Sequence, residues 1–552
     1  MSGGTPAAAP FAEAWSVVPT TTAGRRAARA VVFGAELDIN GFNPGLPCCN
    51  DQWASWMGAE EALRGAFVQR PNGRWSTDLV SAASATSAGV SYTIKANANW
   101  YWGGRKVPVT YKDFVYTLQQ IDNPYTLADR TGYANLDPAH FTHRGAKQVS
   151  FLWKRTDCSA DFPCGPYGNW QSLFSKLYPS FALRGLNFDR IWTSCICGSD
   201  GKPVADGPYY LANYTHGEGS VLKANPYWGG RRPRVREIDF RILSDRNAEI
   251  DAMRRAEVDA IWPAFGLDLE PLRNMTGMTF DEIPGYYVEH LEFREGKGAS
   301  NALLRAPFIR LAIAMAIDRQ AIIDAVYGDL ADLTPLNSAL YYSTESGYRP
   351  DFKEWSYNPK KALALMAKHC TGGPKAVDPA TTSFWQCSGL PATFYWSWPS
   401  GDTARTVTEA EAKAELRAIG IQVNDQPLPP NTFFGAAGLA SGVYDIAEFA
   451  DITGGDPGEW ADTYRCSAAV NYTGFCSRKV DSLLAAGARE TDLTKRTSDY
   501  RRADVALSSE MPVLPMYQRP DVLVHVSALR GMIASPGPGG PFWNVQDWTW
   551  KP

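Results

Sequence analysis

The sequence lacks long hydrophobic runs and an excess of charge of either sign. Its longest helical apolar stretch, residues 303–326, is interrupted by charged residues such as Arg310 and Asp318, whereas a membrane-spanning helix needs about 20 predominantly apolar residues. The 54 basic and 58 acidic residues leave a net charge of −4, which provides no general attraction to nucleic acid. We therefore expect neither a transmembrane helix nor a nucleic-acid partner.

The short motifs of common enzyme active sites are also missing. The chain contains no G-x-S-x-G, H-E-x-x-H, G-x-x-x-x-G-K-S/T or G-x-G-x-x-G segment. Histidine is scarce, with six in the chain, and His140 and His143 lie three residues apart, a spacing that could place both on one metal ion. We interpret this pair as surface-loop residues and expect no metal site and no cofactor.

Acidic residues are concentrated in one stretch of the chain: Asp445, Glu448, Asp451, Asp456, Glu459 and Asp462. Their order is not that of a calcium-binding EF-hand loop. Two carboxylates that face each other across a cleft form the catalytic pair of glycoside hydrolases. A secreted carboxylate-based hydrolase is therefore one hypothesis for the function.

Aromatic residues, by contrast, are abundant and make up 12% of the chain. Such side chains fill hydrophobic cores and also line ligand clefts. Residues 392–398 are predicted to form a strand, Asp402 to cap a helix that Gly420 ends, and residues 421–423 to begin a second, parallel strand. Because ligands of such sheets bind beyond the carboxyl ends of the strands, Trp396 and Trp398 are candidate ligand contacts, with a core position as the alternative.

The ten cysteines favour disulfide bonds over a zinc site, because no C-x-x-C pair occurs. The spacing predicts three short loops, closed by Cys158–Cys164, Cys370–Cys387 and Cys466–Cys476. By elimination, Cys48 and Cys49 pair with Cys195 and Cys197; ten free thiols are the alternative. A disulfide set indicates an oxidising, extracytoplasmic location.

Residues 1–28 are mostly small or proline and carry no signal peptide. We interpret them as a flexible tether. A tether of this kind suits a lipid-anchored surface protein whose targeting segment has been removed.

Eight short segments between about residue 30 and residue 535 form a collinear series. They include a strand and a helix start at 91–95 and 107–116, G-P-Y-Y-L at 207–211, N-P-Y-W-G-G at 225–230, R-R-A-E-V-D at 254–259, A-I-D-R at 316–319, Y-N-P-K-K-A at 357–362 and P-M-Y-Q at 515–518. In this order they resemble the extracellular solute-binding proteins of family 5, the oligopeptide-, dipeptide-, nickel- and sugar-binding receptors of ABC importers.

The resemblance implies an α/β fold of the type II periplasmic-binding-protein class. Two lobes with mixed, mainly parallel sheets then close on a ligand about a hinge. It also implies three domains: domain I over residues 29–60, 205–265 and 515–552, domain II over 61–204, and domain III over 266–514.

The resemblance further implies which residues contact the ligand. Peptide-binding members carry an aspartate, in a W-x-x-D-x-x-x-P stretch, that pairs with the ligand's α-ammonium. In residues 449–457, which begin with Phe449, either Asp451 or Thr453 takes that position, depending on whether two residues are inserted before Pro457. The other expected contacts are Phe42, Asn43, Trp262, Tyr286, Tyr287, Phe449 and Tyr517.

A receptor of this family captures a solute and delivers it to the membrane subunits of an ABC permease, acting as a monomer and not as an enzyme. An oligopeptide is the expected ligand. The alternative within the family is another small polar solute, above all an oligosaccharide or glycoside stacked on Trp385, Trp396, Trp398 or Trp460.

Overall fold

A computed structural model describes residues 21–49, 51–159, 163–243, 245–328, 332–466, 468 and 470–551. The chain divides into two compact units: unit 1 comprises Met1–Ile283 and Asp521–Pro552, and unit 2 comprises Pro284–Pro520. Unit 2 is thus a continuous insertion in unit 1, and the chain crosses between the units within two long strands.

The described residues form the following strands and α-helices. The strands are β1 (Ala30–Ala35), β2 (Phe67–Gln69), β3 (Trp75–Thr77), β4 (Val80–Ala85), β5 (Gly89–Ile94), β6 (Asn99–Trp102), β7 (Arg105–Pro108), β8 (Leu136–Arg144), β9 (Gln148–Trp153), β10 (Val204–Ala205), β11 (Tyr209–Thr215), β12 (Gly219–Ala224), β13 (Glu237–Ile242), β14 (Ala260–Ile261), β15 (Met278–Phe293), β16 (Gln386–Cys387), β17 (Leu390–Pro391), β18 (Thr393–Pro399), β19 (Gln422–Leu428), β20 (Ile446–Ile452), β21 (Val513–Val526), β22 (Leu529–Arg530) and β23 (Thr549–Trp550). The α-helices are α1 (Thr22–Ala28), α2 (Gln52–Ala54), α3 (Glu60–Ala62), α4 (Tyr111–Ile121), α5 (Arg246–Arg254), α6 (Glu270–Arg273), α7 (Pro307–Ala316), α8 (Arg319–Tyr327), α9 (Pro359–His369), α10 (Thr403–Ala418), α11 (Pro430–Phe433), α12 (Ala461–Tyr464), α13 (Arg478–Arg489) and α14 (Leu493–Glu510).

Unit 1 is built on a mixed sheet with the strand order β11-β12-β13-β1-β14-β21. β1 pairs in parallel with β13, from Ala30 opposite Glu237 to Ala35 opposite Ile242, and also in parallel with β14. β14 pairs antiparallel with the last part of β21. β1 is buried along its whole length, as a parallel strand covered on both faces requires. A second sheet of unit 1 has the order β4-β5-β9-β8.

The first described element is a helix, which corrects the prediction of a tether over residues 1–28. Residues 1–20 lie outside the described part of the chain. Thr21 caps α1 by accepting a hydrogen bond from the Gly24 N–H. The fully buried Arg25 donates two hydrogen bonds to the carboxylate of Asp259, at 2.7 and 2.8 Å. Since a buried arginine needs a paired anion, this ion pair fixes α1 to the fold of unit 1.

Unit 2 is built on the strand order β15-β20-β18-β19. The predicted strand–helix–strand unit is confirmed: β18 and β19 are parallel, and Asp402 caps α10 by accepting from the N–H groups of Ala404 and Arg405. The apolar stretch 303–326 forms two α-helices rather than one. Asp318 separates α7 from α8 because its side chain accepts from the Ala321 N–H as an N-cap.

Each of the ten cysteines has a disulfide partner. The three short loops closed by Cys158–Cys164, Cys370–Cys387 and Cys466–Cys476 are as predicted. The pairing predicted by elimination is wrong, because Cys48 bonds to Cys49 and Cys195 bonds to Cys197. The two segments do lie side by side, since the Phe42 N–H donates to the Trp192 carbonyl at 2.8 Å. The predicted pairing is wrong because it left out bonds between cysteines that are one or two residues apart in the sequence.

The compact units meet at Ile283/Pro284 and at Pro520/Asp521, whereas the resemblance implied domain boundaries at 265/266 and 514/515. β15 and β21 run unbroken through these points, so neither a loop nor a change in composition marks them. The separation of residues 61–204 as a domain II stays a prediction.

Candidate functional site

A cavity of about 390 Å³ lies in unit 2 beside the paired strands β15 and β20. The strands are antiparallel, with Val288 opposite Asp451 and His290 opposite Phe449. Directly opposed side chains share a face, and alternate residues of a strand return to it. Glu292, two residues beyond His290, therefore lies on the same face. This face carries the side chains of His290, Glu292 and Asp451.

The wall of the cavity combines carboxylates with aromatic rings. Its carboxylates are Glu292, Asp451 and Glu459, and its rings are Phe434, Phe449, Trp460 and Tyr472. None of the described lining residues is lysine or arginine. Ionised carboxylates and the faces of aromatic rings attract cations, so the cavity is suited to a positively charged group.

Asp451 and Thr453, the two candidates for the amine-binding position, differ in how they are engaged. Asp451 is half-buried, and its Oδ1 accepts from the Ile452 N–H at 2.9 Å. No cation among the described residues forms an ion pair with it. The Thr453 hydroxyl lies 2.9 Å from the Tyr342 hydroxyl, which also accepts from the Thr453 N–H. The Thr453 side chain is therefore engaged by a contact within unit 2, whereas the Asp451 carboxylate lies at the cavity.

Glu292 and His290 are buried, and burial shifts the pKa of each in the direction that favours its uncharged form. Burial, with the nearby charge of Asp451, raises the pKa of Glu292 to about 8. The Tyr444 hydroxyl donates to its Oε2 at 3.4 Å. Burial lowers the pKa of His290, whose Nδ1 is 3.0 Å from the Val288 carbonyl oxygen and donates to it in the neutral form. The Glu292 carboxyl is thus a neutral acid group in the cavity wall.

The expected contacts in unit 2 fall into two groups. Phe449 and Asp451 line the cavity, and Tyr286 lies close by, stacked on Tyr342 with ring centroids 4.0 Å apart. Tyr287 points to the opposite face of β15 and is 47% exposed. Tyr517 is buried against the edge of another tyrosine ring in the core of unit 2. The structure therefore gathers three of these five residues on one side of the β15–β20 pair.

Trp396 and Trp398 occupy the core of unit 2, the alternative that the sequence left open. Trp396 is fully buried, and its indole N–H donates to Glu448 Oε2 at 3.2 Å. Trp385 is also buried, with its indole N–H donating to the Ile419 carbonyl. Of the four tryptophans considered for stacking on a sugar, Trp460 is the one that lines the cavity.

The expected contacts in unit 1 are held by contacts within that unit. The Asn43 amide donates to the Phe188 carbonyl at 2.9 Å, and its oxygen accepts from the Tyr178 hydroxyl at 2.7 Å. Phe42 packs against the edge of Tyr214, with centroids 5.1 Å apart. Trp262 similarly packs edge-on against another buried tryptophan ring. These contacts account for their burial, and a role in ligand binding stays a prediction.

The acidic stretch 445–462 is spread over separate environments. Asp445 accepts from the Ser300 hydroxyl and from the Tyr395 N–H, both at 2.9 Å. Asp456 forms an ion pair with Arg496 at 2.6 Å. Within the described ranges, no cluster of three or more His, Cys, Asp or Glu residues is placed to hold a metal ion. In the same ranges, no helix has the length and apolar character needed to span a membrane.

Sequence reasoning missed His290 and Glu292. The signal available was the alternation Tyr286, Val288, His290, Glu292, which places His290 and Glu292 on the same face of the strand as Tyr286 and Val288.

Comparison with known proteins gives a family match and a fold match. The model of the bacterial extracellular solute-binding proteins, family 5 Middle, matches residues 81–470. The chain is similar to the oligopeptide-binding protein OppA of Mycobacterium tuberculosis, with 23% identity over 514 residues, 89% of this chain and 79% of the relative. It also resembles the solved structure of the periplasmic EDTA-binding protein EppA, with a TM-score of 0.75 and 20% identity over 95% of this chain and 96% of that one.

A further solved structure, the oligopeptide-binding protein AppA of Bacillus subtilis in complex with a nonapeptide, matches with a TM-score of 0.65 and 16% identity over 95% of this chain and 99% of that one. These fold matches confirm the type II periplasmic-binding-protein class. Because the family model spans more than half of the chain, the protein belongs to the bacterial extracellular solute-binding proteins of family 5.

Proposed function

We propose that the protein is the oligopeptide receptor of an ABC importer and that the cavity of unit 2 binds the amino end of the peptide. The family consists of solute-binding proteins, which favours a receptor over a hydrolase. Peptides are the ligands named for a relative that covers most of the chain and for a solved structure of the same fold. Capture about a hinge, a monomeric state, a lipid anchor and delivery to permease subunits outside the cytoplasm belong to this proposal.

The observation that carries the proposal is the state of Asp451. Its carboxylate lies at an aromatic-walled cavity whose described lining contains no lysine or arginine, while the Thr453 hydroxyl is engaged by Tyr342. A peptide α-ammonium supplies both the missing positive charge and the hydrogen-bond donors, and charge-assisted hydrogen bonds of this kind are about twice as strong as neutral ones. We therefore assign the amine-binding position to Asp451.

Isothermal titration with a panel of tri-, penta- and nonapeptides, each also in an N-acetylated form, tests this function. We expect free-amine peptides to bind. Acetylation of the peptide, or Asp451→Asn in the protein, should weaken binding by about 30-fold or more, because loss of one partner of a buried charge pair costs about 2–5 kcal/mol. Thr453→Val is the matched control and should change affinity by much less. Equal binding of free and acetylated peptides would refute the role of Asp451, and binding of none would refute a peptide receptor.

A further inference from the structure

A second cavity, in unit 1, has the opposite charge. It is an open groove of about 640 Å³ between α1 and the C-terminal residues. Its lining contains four cationic side chains and one large ring: Arg26, Arg29, Arg234, Lys551 and Trp550. No aspartate or glutamate is among its described lining residues. The whole chain has a net charge of −4, whereas the lining of the groove is positively charged.

The four cations of the groove have no carboxylate partner in the part of the chain that the structure describes. Two neighbouring arginines differ in this respect: Arg25 pairs with Asp259 at 2.7 Å, and Arg231 pairs with Asp547 at 2.9 Å. Like charges gathered around one groove repel each other. An anionic partner would remove this repulsion, and the charge of the groove therefore complements an anionic surface.

The groove is also rigid on the side of α1. The ion pair of Arg25 fixes the helix, and the Trp550 indole N–H donates to the Ala30 carbonyl at 2.9 Å. Arg29 ends the helix in the left-handed conformation, with φ 58° and ψ 36°, where glycine or asparagine is usual. Backbone preference therefore does not explain an arginine at this position, and its side chain adds a positive charge to the groove.

We propose that this groove docks the protein on the phosphate groups of anionic phospholipids. Arginine and lysine side chains beside a half-buried tryptophan suit the boundary between membrane and water. There the charged ends reach the headgroups, and the ring stays in a less polar layer. The groove lies on α1, which occupies the end of the predicted tether (residues 1–28); the rest of that stretch, residues 1–20, precedes the helix and lies outside the described part of the chain. The surface belongs to unit 1 and is separate from the peptide cavity of unit 2.

Co-sedimentation of the full chain with vesicles tests the proposal. The vesicles contain phosphatidylcholine alone or an equal mixture with phosphatidylglycerol, at low salt and at about 0.15 M salt, where the Debye length is about 8 Å. We expect binding to the mixed vesicles and weaker binding as salt rises. The triple variant Arg26→Gln/Arg29→Gly/Arg234→Gln should lower the partition coefficient about fivefold per cation removed. Arg29→Gly suits the left-handed backbone, so the fold should tolerate it.

A matched control removes three exposed cations elsewhere in unit 1: Arg105→Gln/Lys106→Gln/Arg144→Gln. Vesicle binding should be unchanged in this control, and peptide affinity should be unchanged in both variants. Absence of binding to the mixed vesicles at low salt would overturn the proposal, as would equal losses in the two triple variants. Binding of inorganic phosphate without any binding to vesicles would assign the groove to a free anion and likewise reject the lipid surface.

Discussion

At the scale of single residues, Arg25 and Asp259 show how the desolvation of a buried charge is compensated. Both side chains are fully buried. The Arg25 guanidinium also donates to the Ala256 carbonyl at 2.8 Å, and the Asp259 carboxylate also accepts from the Val32 N–H at 2.9 Å. Desolvation of two charges is offset only when the geometry is good and the remaining donors and acceptors are satisfied. The pair joins α1, β1 and the start of β14.

Arg25→Met should therefore destabilise unit 1 strongly. It leaves the Asp259 carboxylate buried without a counter-charge, which typically costs about 3–5 kcal/mol. The free energy of unfolding from urea titration is the measurement, and Arg26→Met is the control, because exposed substitutions usually change stability by about 0.5 kcal/mol or less. Equal stability of the two variants would show that the pair does not hold α1 in place.

The sequence predicted single residues well where the chemistry is local. The helix start expected within residues 107–116 is confirmed by the capping box that Thr110 forms with Asp113 at the start of α4, and Asp402 caps α10 as predicted, because an N-cap needs only its own backbone neighbours. Asp451 could be placed near the ligand only as one of two candidates. The burial of Trp396 and the raised pKa of Glu292 could not be predicted, since both depend on what packs against the strand from elsewhere in the chain.

At the scale of elements, the unit β18–α10–β19 was predictable because each of its boundaries carries its own signal. Gly420, which follows α10, has a φ of +82°, a region that residues with a Cβ rarely adopt. A Cβ at this position would also lie 2.4 Å from Pro374 Cδ and 3.1 Å from Trp385 Nε1. The turn into β19 therefore needs glycine for its backbone conformation and for lack of space.

Gly420→Ala and Gly401→Ala separate these two requirements. Gly401 has a φ of +92°, and a Cβ there meets nothing within 4 Å. We expect Gly401→Ala to cost about 1–2 kcal/mol from backbone strain alone, and Gly420→Ala to cost about 1–3 kcal/mol more from overpacking. Thermal unfolding of both variants measures the difference. Equal costs would contradict the steric contribution at Gly420.

The elements that the sequence placed wrongly have boundaries set by distant contacts. The break between α7 and α8 depends on whether Asp318 caps a new helix or continues the old one, and the apolar pattern fits both. Residues 22–28 look like a linker by composition, but they fold as α1 because Asp259, more than 200 positions away in the sequence, accepts the charge of Arg25.

Across the whole molecule, buried carboxyl groups couple stability to pH. Burial raises the pKa of Asp239 to about 7 and that of Glu249 and Glu292 to about 8. In each case the carboxyl group stays protonated in the folded protein at pH values at which it is already ionised in the unfolded chain. Between the ordinary carboxyl pKa and the raised pKa, the folded state thus binds more protons than the unfolded chain. Its stability therefore falls as pH rises through that window.

We expect the midpoint of thermal unfolding to decrease steadily from about pH 5 to about pH 8, and the Glu249→Gln variant to show a smaller decrease. Glu249 is the sharpest probe because it is fully buried and neither carboxylate oxygen has a hydrogen-bond partner among the described residues. Complete ionisation of this one group costs about 4–5 kcal/mol in the folded state. A midpoint that rises towards pH 8 would contradict this assignment, as would an unchanged slope in the variant.

The insertion of unit 2 within unit 1 has a consequence for the order of synthesis. Residues 284–520 are made as one continuous stretch, whereas the sheet of unit 1 lacks the last part of β21, the antiparallel partner of β14, until residues 521–526 have been added. Domains generally fold as units while the chain grows at about 5–20 residues per second. Unit 2 can therefore complete its fold first, and β14 waits tens of seconds or longer for its last neighbour. The residues of unit 1 that are made before unit 2 thus belong to the part of the molecule that is finished last.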